Sequence, residues 1–263
     1  MKIYLLFFSL TLTILFAGIH SATLIIENNC LSTIWPATLT GGGATQLSNT
    51  GFELAPYKSY SLHVPASWTG RIWARTQCSS DSSGIFTCAT ADCGSKQVAC
   101  NGAGGDPPAS LAEFTIGTFG GQDFYDVSLV DGFNLPVSIT PQGGSGANCV
   151  STSCAANVNV MCPSELALTE PDGGDIIGCK SACNVFNQSQ YCCTGEYSTP
   201  ETCNKASKYY MIFKSPCPQA YSYAFDDSTS AYTCSGGPNY TITFCPWLRK
   251  ESFFRCTISF LEG

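Results

Sequence analysis

The sequence predicts an all-β fold stapled by disulfides, and three observations predict it. Short stretches of alternating apolar and polar residues recur between clusters of Gly, Pro, Asn and Ser, the pattern of a sandwich or barrel. Seventeen cysteines fall in 263 residues, too many for a reducing compartment. Charged side chains make up only 12% of the chain, so apolar packing and cross-links must hold the fold.

The first element in order is a leader. Residues 2–19 carry one lysine and then an almost unbroken apolar run that closes on small Ser21 and Ala22. A charged start, an apolar core and a small-residue cleavage site read as a secretory signal over residues 1–21. Ser and Thr interrupt the run and a cysteine-rich sequence follows at once, which favours a signal over a membrane anchor. Behind such a leader the cysteines imply a disulfide framework. Zinc sites are disfavoured: there is no C-x-x-C pair, and His63 is the one histidine after the leader. No metal and no cofactor are expected.

Strand-like alternation follows at residues 23–27, 59–64, 71–75, 113–116 and 126–130. Between residues 149 and 203 cysteines crowd and β-branched runs give way to a loop-rich lobe, with one or two helical turns expected at residues 181–186. Strand-like text returns at 209–213, 221–225 and 240–244. The main domain therefore spans residues 22–246. Residues 247–263 are basic, aromatic and short, and hold Cys256, which leaves an even set of sixteen cysteines before it. Between residues 22 and 246 there are eight basic and seventeen acidic side chains, a net charge of −9. That balance argues against nucleic acid or anionic lipid as a partner, since both are bound through Lys and Arg.

The string Gly84-Ile-Phe-Thr-Cys88-Ala-Thr-Ala-Asp-Cys93 resembles the signature of thaumatin-like proteins, with Cys100 where the next cysteine is expected. Ile72-Trp-Ala-Arg-Thr, Leu111-Ala-Glu-Phe, Tyr125-Asp-Val-Ser-Leu-Val-Asp-Gly-Phe-Asn, Cys154-Ala-Ala-Asn, Tyr191-Cys-Cys, Tyr221-Ser-Tyr and Ile242-Thr-Phe-Cys-Pro agree with the same family. Ser95 departs from it, standing where a second Gly is usual. The resemblance implies a flattened two-sheet β-sandwich, a disulfide-rich lobe, a small third loop region and eight bridges. By cysteine order these are Cys30 to Cys245, Cys78 to Cys88, Cys93 to Cys100, Cys149 to Cys234, Cys154 to Cys217, Cys162 to Cys179, Cys183 to Cys192 and Cys193 to Cys203. Spacing alone does not choose among the many possible pairings.

The resemblance also implies an acidic cleft between sandwich and lobe, carried by Glu113, Asp126, Asp131 and Asp226. The family's cleft arginine is not matched in this reading, because Asp106 precedes the Pro-Pro pair, so an unusually acidic cleft is expected. Converging carboxylates raise one another's pKa and accept hydrogen bonds from sugar hydroxyls. A carboxyl pair is also the machinery of glycoside hydrolysis. On the residues alone, these acids read more readily as turn and strand-end residues than as a functional cleft. Phe114, Phe124, Tyr125, Phe133 and Tyr209 are candidates for stacking on sugar rings, with core packing as the alternative for most of them.

The implied function is a secreted plant defence protein of the pathogenesis-related, antifungal kind, acting as a monomer. Its expected partner is β-1,3-glucan or another cell-wall polysaccharide, with the fungal membrane or a foreign hydrolase as further partners. The alternatives are an endo-β-1,3-glucanase using Glu113 with an aspartate, and a hydrolase inhibitor. The expected location is the apoplast, or the vacuole if residues 247–263 are a removed targeting extension. Asn187-Gln-Ser and Asn239-Tyr-Thr fit the N-glycosylation pattern.

Overall fold

The computed structural model describes residues 21–118, 121–170, 172–203 and 207–246. Apart from Ser21 the leader lies outside the described residues, as do the tail from residue 247 and Cys256.

Alternation becomes sheet wherever one face can be buried. In β1 (Ala22–Asn28) every second residue is buried. This strand sits between β3 (Ser59–Val64) and β13 (Asn239–Phe244), and the five-stranded sheet continues through β8 (Val137–Gln142) to β9 (Thr152–Cys154). Pairing of β1 with β13 is parallel, Leu24 opposite Tyr240 and Ile26 opposite Ile242. The second sheet runs from β2 (Trp35–Thr40) through β4 (Thr69–Ser80), β6 (Leu111–Thr115) and β7 (Gln122–Ser128) to β12 (Tyr232–Ser235), and β5 (Phe86–Thr90) pairs with the far end of β4.

The two sheets face each other over one core. Leu24, Ile26, Ile139, Ile242 and Phe244 on one side meet Ile72, Ala112, Phe114 and Val127 on the other, all buried. One polar link bridges them: the Tyr240 hydroxyl donates to Asp123 Oδ2 at 2.9 Å, and Asp123 Oδ1 accepts the Gly117 N–H at 2.8 Å. A buried carboxylate is tolerable when its lone pairs are filled in this way.

A smaller cluster lies on the outer face of the second sheet. Ala37, Trp73 and Leu111 are covered by the loop carrying Ala91, Cys93, Cys100 and Ala109. The Trp73 indole donates to the Ala91 carbonyl at 3.0 Å. That loop closes one end of the outer face and leaves the rest open.

The lobe is built of short pieces. The hairpin of β10 (Ala167–Thr169) and β11 (Ile176–Cys179) is followed by α1 (Ala182–Phe186) and α2 (Ser189–Cys192). Ser181 caps α1, its hydroxyl accepting the Asn184 N–H at 3.3 Å, the usual way to satisfy an orphan donor. Cys162–Cys179, Cys183–Cys192 and Cys193–Cys203 staple the lobe internally. Cys154–Cys217 ties it to β9 of the sandwich, and Cys149–Cys234 links the segment before β9 to β12. Cys30–Cys245, Cys78–Cys88 and Cys93–Cys100 complete the eight bridges, the pairing that the family resemblance implies.

Two strand expectations are corrected. Residues 209–213 are not a strand but part of α3 (Lys208–Lys214), with Ser207 accepting the Tyr209 N–H at its start. Its aromatic residues suit a strand by composition, but Tyr209 and Phe213, four apart, share the inward face of a helix while Met211 is exposed. Residues 221–225 make a single bridge pair, Tyr221 with Ser128, and then turn toward α4 (Asp227–Ser230).

Candidate functional site: an acidic cleft

Three neighbouring strands set Arg71, Glu113 and Asp126 in one row. Arg71 on β4 is opposite Glu113 on β6, which is opposite Asp126 on β7. Side chains alternate across a strand, so the adjoining Ile72, Ala112 and Val127 fill the core and the charged row stands on the outer face. Asp131 joins from the turn after β7. There Gly132 takes φ 90° and its N–H donates to the Leu129 carbonyl at 2.9 Å. A Cβ on Gly132 would run into the Cys179 carbonyl oxygen, so only glycine fits this bend.

Arg71 organises the acids. Its Nη1 donates to Asp131 Oδ2 at 3.4 Å, and its Nε lies 3.9 Å from Glu113 Oε1. The facing wall is the segment after Tyr221, whose hydroxyl donates to Asp227 Oδ1 at 2.7 Å. Between them lies a cleft of about 260 Å³ lined by Arg71, Glu113, Asp126, Asp131, Val130 and Tyr221. A second hollow of about 300 Å³ shares Arg71, Glu113 and Asp126 and extends along the sheet to Thr69, Thr115 and Phe124. The Thr69 and Thr115 hydroxyls are 3.1 Å apart, and Phe124 is 51% exposed.

The electrostatics separate the two strand acids. Burial, followed by the charges of Glu113 and Asp227, pushes the Asp126 carboxyl up to about 8. Its Oδ1 is buried without a hydrogen-bond partner among the described residues, which disfavours the charged form further. Glu113 is also raised by burial, but Arg71 pulls it back while Asp131 pushes it up. At neutral pH the row therefore holds a protonated Asp126 beside an arginine-held Glu113. Such a pair offers both a donor and acceptors to hydroxyl-rich ligands.

Of the four acids expected in the cleft, Glu113, Asp126 and Asp131 come together and Asp226 does not. Asp226 is 4% exposed and turned away from the cleft. Its Oδ2 accepts from Lys214 Nζ at 2.7 Å and from Ser222 N and Oγ at 3.2 and 3.0 Å. Its Oδ1 accepts from Thr229 Oγ1 at 3.1 Å. The next residue, Asp227, lies behind the cleft wall, where it accepts the Tyr221 hydroxyl and its charge acts on Asp126. The expected lack of an arginine is corrected as well. Arg71 fills that role, and Asp106 is exposed on another loop, outside the cleft lining. A lone charge in the strand Gly70-Arg71-Ile72-Trp73-Ala74 was the available signal, since alternation sets it opposite buried Ile72.

Among the candidate aromatics, Phe114, Tyr125 and Phe133 are buried in the core. Tyr209 packs in the lobe against Phe186 and Tyr191. Phe114 borders the second hollow from its buried position, and Phe124 is the one of the five that lines it with an exposed ring. Among the described residues no cluster of His, Cys, Asp and Glu is arranged to hold a metal ion.

The model described as the Thaumatin family matches residues 28–246. "Thaumatin-like protein 1" of Pyrus pyrifolia is 62% identical over 230 residues, covering 88% of this chain and 93% of that protein. A Prunus avium protein named "Glucan endo-1,3-beta-glucosidase" is 58% identical over 247 residues, covering 94% of this chain and 100% of that one. Among solved structures, a laminaripentaose-producing β-1,3-glucanase from Paenibacillus barengoltzii aligns with a TM-score of 0.54 at 13% identity, covering 86% of this chain and 75% of that one. That last likeness is one of fold. The family match runs through sandwich, lobe and every cleft residue, and on this ground the chain belongs to the thaumatin family.

Proposed function

We propose that this chain is a secreted plant defence protein that binds the β-1,3-glucan of fungal cell walls through the cleft. The carrying observation is the row Arg71, Glu113 and Asp126, set at the junction of two hollows that continue to Thr69, Thr115 and Phe124. Charged donors and acceptors in the middle, hydroxyls beyond them and an exposed aromatic ring at the end suit a chain of sugar rings. Sugars offer hydroxyls to the polar groups and an apolar C–H face to the ring. Retention on insoluble β-1,3-glucan, compared with cellulose and chitin, tests this. Wild type is expected on the glucan alone, with retention lost in Glu113→Gln; equal weak retention on all three polymers defeats the proposal.

Hydrolysis is the second reading, favoured by the name of the Prunus avium relative and by Asp126, held up to about 8, standing next to the Arg71-paired Glu113. Asp126 gives its proton to the leaving glycosidic oxygen, and Glu113 attacks the anomeric carbon or activates water. Release of reducing ends from soluble β-1,3-glucan is expected to vanish in Asp126→Asn and in Glu113→Gln. Unchanged release in either variant removes that residue from the reaction.

A further inference from the structure

The fold treats the two N-glycosylation motifs differently. Asn187 is exposed and caps the C-terminus of α1 in the left-handed region, with φ 50° and ψ 39°. Its backbone N–H is engaged with the Cys183 carbonyl at 2.9 Å, while its side chain makes no hydrogen bond among the described residues. Ser189, the hydroxyl residue of the motif, is exposed at the start of α2 with its side chain equally unengaged. The motif thus lies across a bend between two one-turn helices, the surface-loop setting this modification requires.

Asn239 opens β13, which is inserted between β1 and β8. Its Oδ1 accepts the Thr23 N–H at 2.8 Å, and Thr241 Oγ1 accepts from Gln142 Nε2 at 3.2 Å. Tyr240 between them is fully buried. Asn239 is itself exposed, yet its Oδ1 and the Thr241 hydroxyl are both engaged with neighbouring strands of the sheet.

We infer that Asn187 carries an N-linked glycan and that Asn239 does not. The co-reactant is an oligosaccharide carried on a lipid diphosphate. A bond forms between the anomeric carbon and Asn187 Nδ2 as the bond from that carbon to the diphosphate oxygen breaks. The lipid diphosphate leaves, one amide proton passes to a base, and nothing is oxidised or reduced. The neighbouring Phe186 packs 5.5 Å from Tyr191 and 5.1 Å from Tyr209, centroid to centroid, which anchors the bend that presents Asn187.

The inference rests on the secretion proposed above, and one experiment separates the two. The full chain is translated in a cell-free system with microsomes; protection from added protease reports entry, and an endoglycosidase-sensitive mobility shift reports the glycan. The expected result is entry with one glycan, lost in Asn187→Gln and in Ser189→Ala and kept in Asn239→Gln. The serine variant leaves the helix cap intact, so a folding defect at Asn187 does not confuse the reading. A chain that enters without a shift, or any glycan mapped to Asn239 by mass spectrometry, overturns the inference. A chain that stays outside overturns secretion, and this inference with it.

Discussion

Asp126 shows what burial does to a carboxyl between two other acids. A free aspartate loses its proton near pH 4, whereas in the cleft Asp126 holds it to about 8. A folded-state pKa above the unfolded one contributes stability that is complete below the unfolded value and is lost as the pH rises through the folded one. Wild-type stability is therefore expected to fall between about pH 4 and 8, each unit of pKa difference being worth about 1.4 kcal/mol. Asp126→Asn should flatten that fall, which thermal unfolding across this range checks; an unchanged slope places the titrating group elsewhere. At the other end of the groove, Phe124→Ala is expected to weaken retention of long glucan chains by roughly fivefold, about 1 kcal/mol for a lost stacking contact. Titration with short and long oligosaccharides measures it, the short ones being little affected. Glu113, Asp126 and Asp131 were legible because each lies in a family string. Arg71 was not, since strand register rather than local sequence brings it beside Glu113. Asp226 and Asp227 are adjacent, and sequence does not say that Lys214 takes the first while the Tyr221 hydroxyl takes the second.

At the scale of elements, the lobe side of the cleft depends on a clamp. The Lys214 ammonium on α3 shares its three N–H groups among Asp226, the Ala220 carbonyl at 3.1 Å, and the Thr229 and Ser230 hydroxyls at 2.7 and 3.0 Å. One ammonium thereby fixes both flanks of the segment that presents Tyr221 and Asp227. The pair is nearly closed to water, with side chains 14% and 5% exposed. Removing one partner strands the other, so Lys214→Met is expected to cost about 3–5 kcal/mol, read by chemical denaturation. A Lys214→Met, Asp226→Leu double variant should recover part of that loss, because it removes the buried charge along with its partner. Strands whose alternation matches a buried face, such as β1 and β13, were readable from sequence. The helix α3 was not: Tyr-Tyr-Met-Ile-Phe has strand composition, and the Ser207 cap that starts it is one weak signal against five strong ones.

Across the whole molecule, the bridges act over very different spans. Cys30–Cys245 closes 215 residues, and Cys193–Cys203 closes ten. In the chain-entropy account the long closure is worth about 5 kcal/mol and the short one about 3 kcal/mol. Paired serine variants of each bridge, compared by denaturant midpoint, are expected to follow that order; a larger loss at the short bridge means the lobe is held by its packing against neighbours more than by loop closure. The sandwich itself was foreseeable from alternation and turn residues, while the cysteine partners came from family likeness alone. The long bridge also bears on assembly. The strand that joins β1 to β8 is the last of the thirteen strands among the described residues to leave the ribosome, so until residues 239–244 arrive the five-stranded sheet exists only as two unjoined pieces with raw edges. The folding machinery thus meets a chain whose first strand must wait for nearly the entire domain to be synthesised before it can be sealed.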